Sequence, residues 1–194
     1  MANKIKYGVK NVYYAKATIA ANGSATYANP VAIPGAVSLS LDAEGESNTF
    51  YADNIAYFVS AANNGYTGSL EVALIPDQFR KDILGEATDT TTGMLFEMPD
   101  VQPAHFALLF QFEGDNKATK HVMYNCVASR PSVSSQTKET SINPVTETIN
   151  LTCTPIYNAS LDADVVKGKI EYGATGYADW FTSVKQPTAA STAT

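Results

Sequence analysis

Phe106-Ala-Leu-Leu-Phe-Gln-Phe112 decides the fold class. Read with the two-residue period of a strand, it is apolar on both faces, which predicts a central strand covered on both sides. Its neighbours in sequence alternate instead. Val122, Tyr124, Cys126 and Ala128 share a face opposite His121, Met123 and Asn125. Ile149, Leu151 and Cys153 alternate with Thr148, Asn150, Thr152 and Thr154. Upstream, Leu70, Val72 and Leu74 alternate with Ser69, Glu71 and Ala73, and Val37, Leu39 and Leu41 with Ser38, Ser40 and Asp42. These segments read as strands with one buried face. Residues 13–20 and 25–33 flank Asn22-Gly23, a strong hairpin signal.

Two segments break the strand rhythm. Pro76-Asp-Gln-Phe-Arg-Lys-Asp-Ile-Leu-Gly85 opens with Pro and Asp and closes with Gly, which predicts a short helix with Phe79 and Ile83 on one face. Tyr177, Trp180, Phe181 and Val184 fall at i, i+3, i+4 and i+7, which predicts a second helix over 177–185, stopped by Pro187. Helices this short hold only when docked, so both stripes are assigned to core packing. Residues 42–66, with Asp42, Glu44, Glu46 and Asp53 among Phe50, Tyr51, Tyr57 and Phe58, read as a long structured loop. Residues 129–147 read as a polar connection. The result is a mostly β chain, a β-sandwich or partly closed barrel with one or two short flanking helices. The 194 residues suit one domain, 1–185, followed by a small polar tail, 186–194, expected to fray.

Composition narrows the function. Thirteen Lys and Arg against nineteen Asp and Glu give a net charge of -6, with no basic run. That argues against nucleic-acid binding, which needs a cationic footprint on phosphate. Only 16% of residues are charged, which leaves much uncharged surface for contact with other protein. No apolar run approaches the roughly 20 residues of a membrane-spanning helix. Met1-Ala-Asn-Lys-Ile-Lys-Tyr-Gly carries no hydrophobic stretch behind its charges, so no secretory signal is read there. Cys126 and Cys153 lack metal spacing and read as reduced, buried small residues.

Chemistry is thin. His105 and His121 have no His, Cys or carboxylate at ligand spacing and read as structural. Asp162-Ala-Asp164 starts like a calcium loop, but Val166 stands where a third oxygen ligand belongs. No nucleophile elbow or phosphate loop occurs. No cofactor, metal or catalytic residue is assigned. Two alternatives remain beside a structural role. Scattered carboxylates could form a hydrolase pair if the fold brought two of them together. Eleven tyrosines could stack on sugars, as in a glycan-binding β-sandwich of an adhesin, or serve subunit contacts.

Several stretches, taken in order, resemble a known family. They are Lys6-Tyr-Gly-Val-Lys-Asn-Val-Tyr-Tyr14, Pro34-Gly-Ala-Val-Ser-Leu-Ser-Leu-Asp42, Asn64-Gly-Tyr-Thr-Gly68, Ile75-Pro-Asp-Gln-Phe-Arg-Lys-Asp-Ile-Leu-Gly85 and Ser129-Arg-Pro-Ser132. Across residues 5–185 their order and spacing resemble the major tail proteins of long-tailed, non-contractile phages, and most nearly the phi13-type group. The resemblance implies a tail tube subunit, not an enzyme. Six copies would close into a ring whose inner strands form a continuous barrel, and rings would stack around a tape measure protein. Implied partners are the chain itself, the tape measure, tail terminator and distal tail proteins. DNA would pass without sequence-specific binding, no membrane would be involved, and the product would sit in the virion tail after assembly in the host cytoplasm.

Within that expectation, Ser38, Ser40, Asp42, Ser69 and Glu71 are assigned to the lumen. Period two gives them one face but leaves open whether it looks inward or to outer solvent. Glu44, Glu46, Phe50, Tyr51, Asp53, Tyr57 and Phe58 are assigned to contact with the adjacent ring, against the alternative of a loop folded back on its own sandwich. Ordering of that loop only on assembly is the accompanying expectation.

Overall fold

The computed structural model describes Ile5, residues 7–135 and residues 145–189. Lys6, the middle of the expected connection 129–147, and residues 190–194 of the expected tail lie outside the described residues. The strands in chain order are β1 (Val9–Ile19), β2 (Ala25–Tyr27), β3 (Val31–Ala32), β4 (Ala36–Glu44), β5 (Ser47–Ala52), β6 (Ile55–Ala61), β7 (Gly65–Val72), β8 (Ala87–Thr88), β9 (Leu95–Phe96), β10 (Phe106–Phe112), β11 (Lys120–Ala128), β12 (Glu147–Cys153), β13 (Ile156–Asn158), β14 (Ala163–Val165) and β15 (Lys167–Ile170). The main sheet runs β2-β1-β10-β11-β12-β7-β4, antiparallel throughout. β15 adds to β11, and β3 to β1.

β10 is the central strand its sequence predicts. Phe106, Leu108 and Phe110 point into an inner core with Val12, Tyr14, Leu70, Ile149 and Leu151. Ala107 and Leu109 point the other way, into an outer cluster with Ala15, Val122, Tyr124 and Trp180. The inner core lies between two layers of one sheet, β1-β10-β11 and β12-β7-β4, which passes from one to the other at β11–β12. The return is made by the chain itself. The Ile33 amide donates to the Val12 carbonyl (2.8 Å), and two residues on the Gly35 carbonyl accepts from the Ala73 amide (2.8 Å). The chain thus leaves β1 and joins β7 without a continuous ladder, and no closed barrel forms.

Among the described residues, helix is confined to one place. Asp77–Phe79 is a single α-turn that widens into a π-turn over Arg80–Leu84 and ends at Gly85, whose φ of 77° suits glycine. Phe79 and Ile83 are buried in the inner core, with Phe79 edge-on to Tyr14 and Phe106. Arg80 ties the turn down, reaching Glu86 at 3.3 Å and Glu147 at 3.2 Å.

The second helix is a correction. Residues 177–183 form turns and bends and 184–185 run on without regular structure, with hydrogen bonds from the Trp180 amide to the Tyr177 carbonyl (3.4 Å) and from the Thr182 amide to the Asp179 carbonyl (3.1 Å). Specific anchors shape them. Lys120 Nζ donates to the Tyr177 carbonyl (2.7 Å) and sits 3.9 Å from the Tyr177 ring centre. Tyr124 donates to the Lys185 carbonyl (2.9 Å), and Phe181 stacks on Tyr13 at 4.8 Å. Trp180 is buried, while Tyr177, Phe181 and Val184 are half-buried. The stripe covers the outer cluster without helical geometry. Beyond it, Gln186 donates to the Ala25 carbonyl (2.9 Å), so the chain is still tied to the sheet there.

The long loop is also a correction. Residues 42–66 are the end of β4, the two-stranded arm β5–β6 and the start of β7. Asp53 and Asn54 turn the arm with φ of 51° and 62°. Positive φ at both central residues matches the twist of a tight hairpin.

Candidate functional site

The strand register assembles a surface from three strands. Ser38 stands beside Glu71, and Glu71 beside Thr148. The next rows are Ser40, Ser69 and Asn150, then Asp42, Thr67 and Thr152. Residues directly opposite in a ladder share a face, so these nine make one polar field. The alternate positions, Leu39, Leu70 and Ile149 among them, turn to the inner core. Gly68 is required between β4 and β7, because a Cβ there would lie 1.9 Å from the Ser40 carbonyl oxygen.

Hydroxyls in and beside the field hold its acids. Ser38 donates to Glu71 at 2.8 Å, Thr146 donates to the other Glu71 oxygen, and Thr67 donates to Glu44 at 2.6 Å. The Thr146 bond, and after it the Ser38 bond, holds the Glu71 carboxyl below its ordinary value. No Lys or Arg occurs in β4, β7 or β12, nor anywhere in residues 17–79. The face is polar, anionic and free of groups that grip phosphate. β4 is the terminal strand of the sheet path. A terminal strand offers its outer backbone groups to another chain.

The arm β5–β6 has the opposite character. Phe50, Tyr51, Ile55, Tyr57, Phe58 and Val59 are 60–72% exposed. Phe50 stands opposite Phe58, and Thr49 opposite Val59, so both faces carry apolar side chains, with no layer over them among the described residues. A patch of this kind on a folded chain marks a contact surface. Glu44 and Glu46 lie at the arm's root and Asp53 at its tip.

The five residues assigned to a lumen thus fall on one face, and the seven assigned to ring contact fall on or at the root of one arm. Sequence reasoning missed Thr67, Thr148, Asn150 and Thr152, which only register adds to the field. It also missed Ile55 and Val59 on the arm, whose signal was an exposed apolar pair beside aromatics.

Elsewhere the titratable groups serve structure. His105 is hydrogen-bonded to Asn125 (2.7 Å), which donates on to Thr154 (2.8 Å). His121 stacks on Phe110 at 5.2 Å. Asp162 accepts from Tyr157 in the β13–β14 turn (2.8 Å). Among the described residues no three His, Cys, Asp or Glu gather to hold a metal, and no helix is long and apolar enough to cross a membrane.

The sequence profile described as phage tail tube protein matches residues 2–183 of this chain. No curated protein matches it. Among solved structures, a chain in the cryo-EM structure of the anti-feeding prophage (AFP) baseplate, 6-fold symmetrised, is similar with a TM-score of 0.48 and 11% identity, over 90% of this chain and 99% of that one.

Proposed function

Starting from the chain's membership of the phage tail tube protein family, we propose that its copies close into rings, six to a ring, and that the rings stack into the tube that conducts DNA. Within the family it is placed with the phi13-type major tail proteins, on the order and spacing of its sequence stretches. The role is structural rather than enzymatic.

One observation carries the reading. The outward face of β4-β7-β12 is filled by Ser, Thr, Asn, Asp and Glu, without a cation, and it ends at the edge strand β4. Pairing of β4 with a neighbouring copy extends this face from subunit to subunit, and closure of the ring turns it inward. A lining of this kind repels the phosphate backbone and leaves it hydrated, so DNA slides rather than binds. The arm β5–β6 reaches to the adjacent ring, where its aromatic faces find cover. A contact between unlike surfaces repeats head to tail and builds a filament. The tape measure, tail terminator and distal tail proteins are the other partners, in a tail assembled in the host cytoplasm.

Negative-stain microscopy of the concentrated protein tests this. Rings or tubes are expected, and a map of them should place Ser40, Ser69 and Asn150 on the bore. A monodisperse monomer at all concentrations, or a map with that field on the outside, overturns the reading.

A further inference from the structure

Cys126 and Cys153 take no part in that role, yet they face each other where β11 meets β12 and the sheet passes between its layers. Both are free and buried, and their sulfurs lie 2.6 Å apart. The ladder around them fixes their geometry. The Thr154 amide donates to the Asn125 carbonyl (2.9 Å), and the Ser129 amide to the Asn150 carbonyl (2.9 Å). These rungs make 125/154 and 129/150 hydrogen-bonded pairs, and the alternation of an antiparallel ladder then makes Cys126/Cys153 a non-hydrogen-bonded pair. In such a pair the Cα atoms stand about 4.5 Å apart, within the roughly 4.4–6.8 Å that a disulfide bridges without backbone movement.

We propose that Cys126 and Cys153 are a redox modification site, at which hydrogen peroxide, small and neutral, converts the two thiols of the folded chain into a cross-strand disulfide. One sulfur attacks a peroxide oxygen. The O–O bond breaks, water leaves and a sulfenic acid remains. The second sulfur then displaces that hydroxyl as another water, forming the S–S bond. Two thiols give up two protons and two electrons, and the peroxide ends as two waters. Contact between the sulfurs is what favours this course, because the sulfenic acid is captured before a second peroxide reaches it. Burial pushes the Cys126 thiol up, with its contact to Cys153 adding to the effect, so the reaction is slow. The product ties β11 to β12. The inference rests on strand register and stands independently of the tube reading.

The full-length reduced protein is incubated folded with hydrogen peroxide, quenched with catalase, unfolded with an alkylating reagent and weighed by mass spectrometry. Loss of both alkylatable thiols is expected, with a mass lower by two hydrogens that dithiothreitol restores. The folded Cys153→Ser variant, treated alike, should show no such product. Survival of both thiols in the folded protein, oxygen adducts on both sulfurs, or disulfide-linked dimers would each overturn the site. Because the readout needs no assembly, failure here is distinct from failure to form tubes.

Discussion

β10 and the arm β5–β6 use similar residues and meet opposite fates. Phe106, Ala107, Leu108 and Leu109 are wholly buried, while Phe50, Tyr57 and Phe58 are at least 61% exposed. A strand that is apolar on both faces needs a layer on each. β10 finds both within its own chain, the folded-over half of the sheet on one side and the turns around Trp180 on the other. The arm finds neither. Among the described residues, the arm is a two-sided apolar element with no layer to cover either face. An exposed apolar element of this kind marks a contact surface, and on the proposed reading its cover comes from another copy.

The contrast is sharpest where an aromatic ring is removed from each region. Phe106→Ala should cost about 3–5 kcal/mol, because the ring is enclosed and its neighbours Phe79 and Leu108 are held by their own elements. Urea denaturation followed by tryptophan fluorescence measures it. Phe50→Ala combined with Phe58→Ala should change the stability of the free chain by less than about 0.5 kcal/mol per site, as for other exposed positions. Assembly should respond instead. If the two aromatic side chains together contribute about 2 kcal/mol to the contact, the concentration needed for tubes rises roughly 30-fold. Sedimentation across a concentration series reads this directly. Equal losses of stability in the two variants would erase the distinction between the regions.

How much of this was legible follows from the same physics. Alternation revealed β4, β7 and β12, because one face of each turns to the inner core, only partly buried in β4, and the other is wet. The continuous run 106–112 revealed β10, because both its faces are covered. The arm hid from that method. Neither of its faces is buried, so period two had nothing to register, and the acids at its root and tip looked like loop residues. Its turn was written in Asp53-Asn54, a pair suited to positive φ. At 177–185 the helical spacing told which side chains pack but not the path of the backbone. Four apolar residues carried on turns reach the outer cluster equally well once Lys120 and Tyr124 fix the carbonyls. The polar field was half visible. Its strands could be found singly, but their alignment into rows belongs to pairing between segments far apart in sequence.

The polar field offers a quieter contrast with the arm, since its residues contribute through charge rather than cover. Glu71→Lys should leave the fold and tube formation intact while placing one phosphate-binding group per copy on the face proposed to line the bore. DNA release from assembled particles should slow, and the delay should shrink as salt is raised, because the added attraction works through counterion release. Release at the same rate at low salt would remove Glu71 from the lining.

The smallest effect concerns how that acid is held. Glu71 titrates below its ordinary value, chiefly through the Thr146 hydroxyl and then through Ser38. A carboxyl whose folded value is depressed favours the folded state above its unfolded value of 4.5, and that contribution is lost as the pH falls through the folded value. Glu71 is still half-open to solvent, so the change in stability is slight and the titration itself is the better readout. Thr146→Val removes the hydrogen bond that lowers the carboxyl most and should raise the Glu71 midpoint toward the ordinary range, followed by carboxyl chemical shifts on the labelled protein. Ser38→Ala should move it less. If neither variant shifts the midpoint, the hydroxyls of this face do not govern its charge. Ionisation of the field would then follow from solvent exposure alone, as on any wet sheet, and its repulsion of phosphate would rest on the absence of cations rather than on anions held in place.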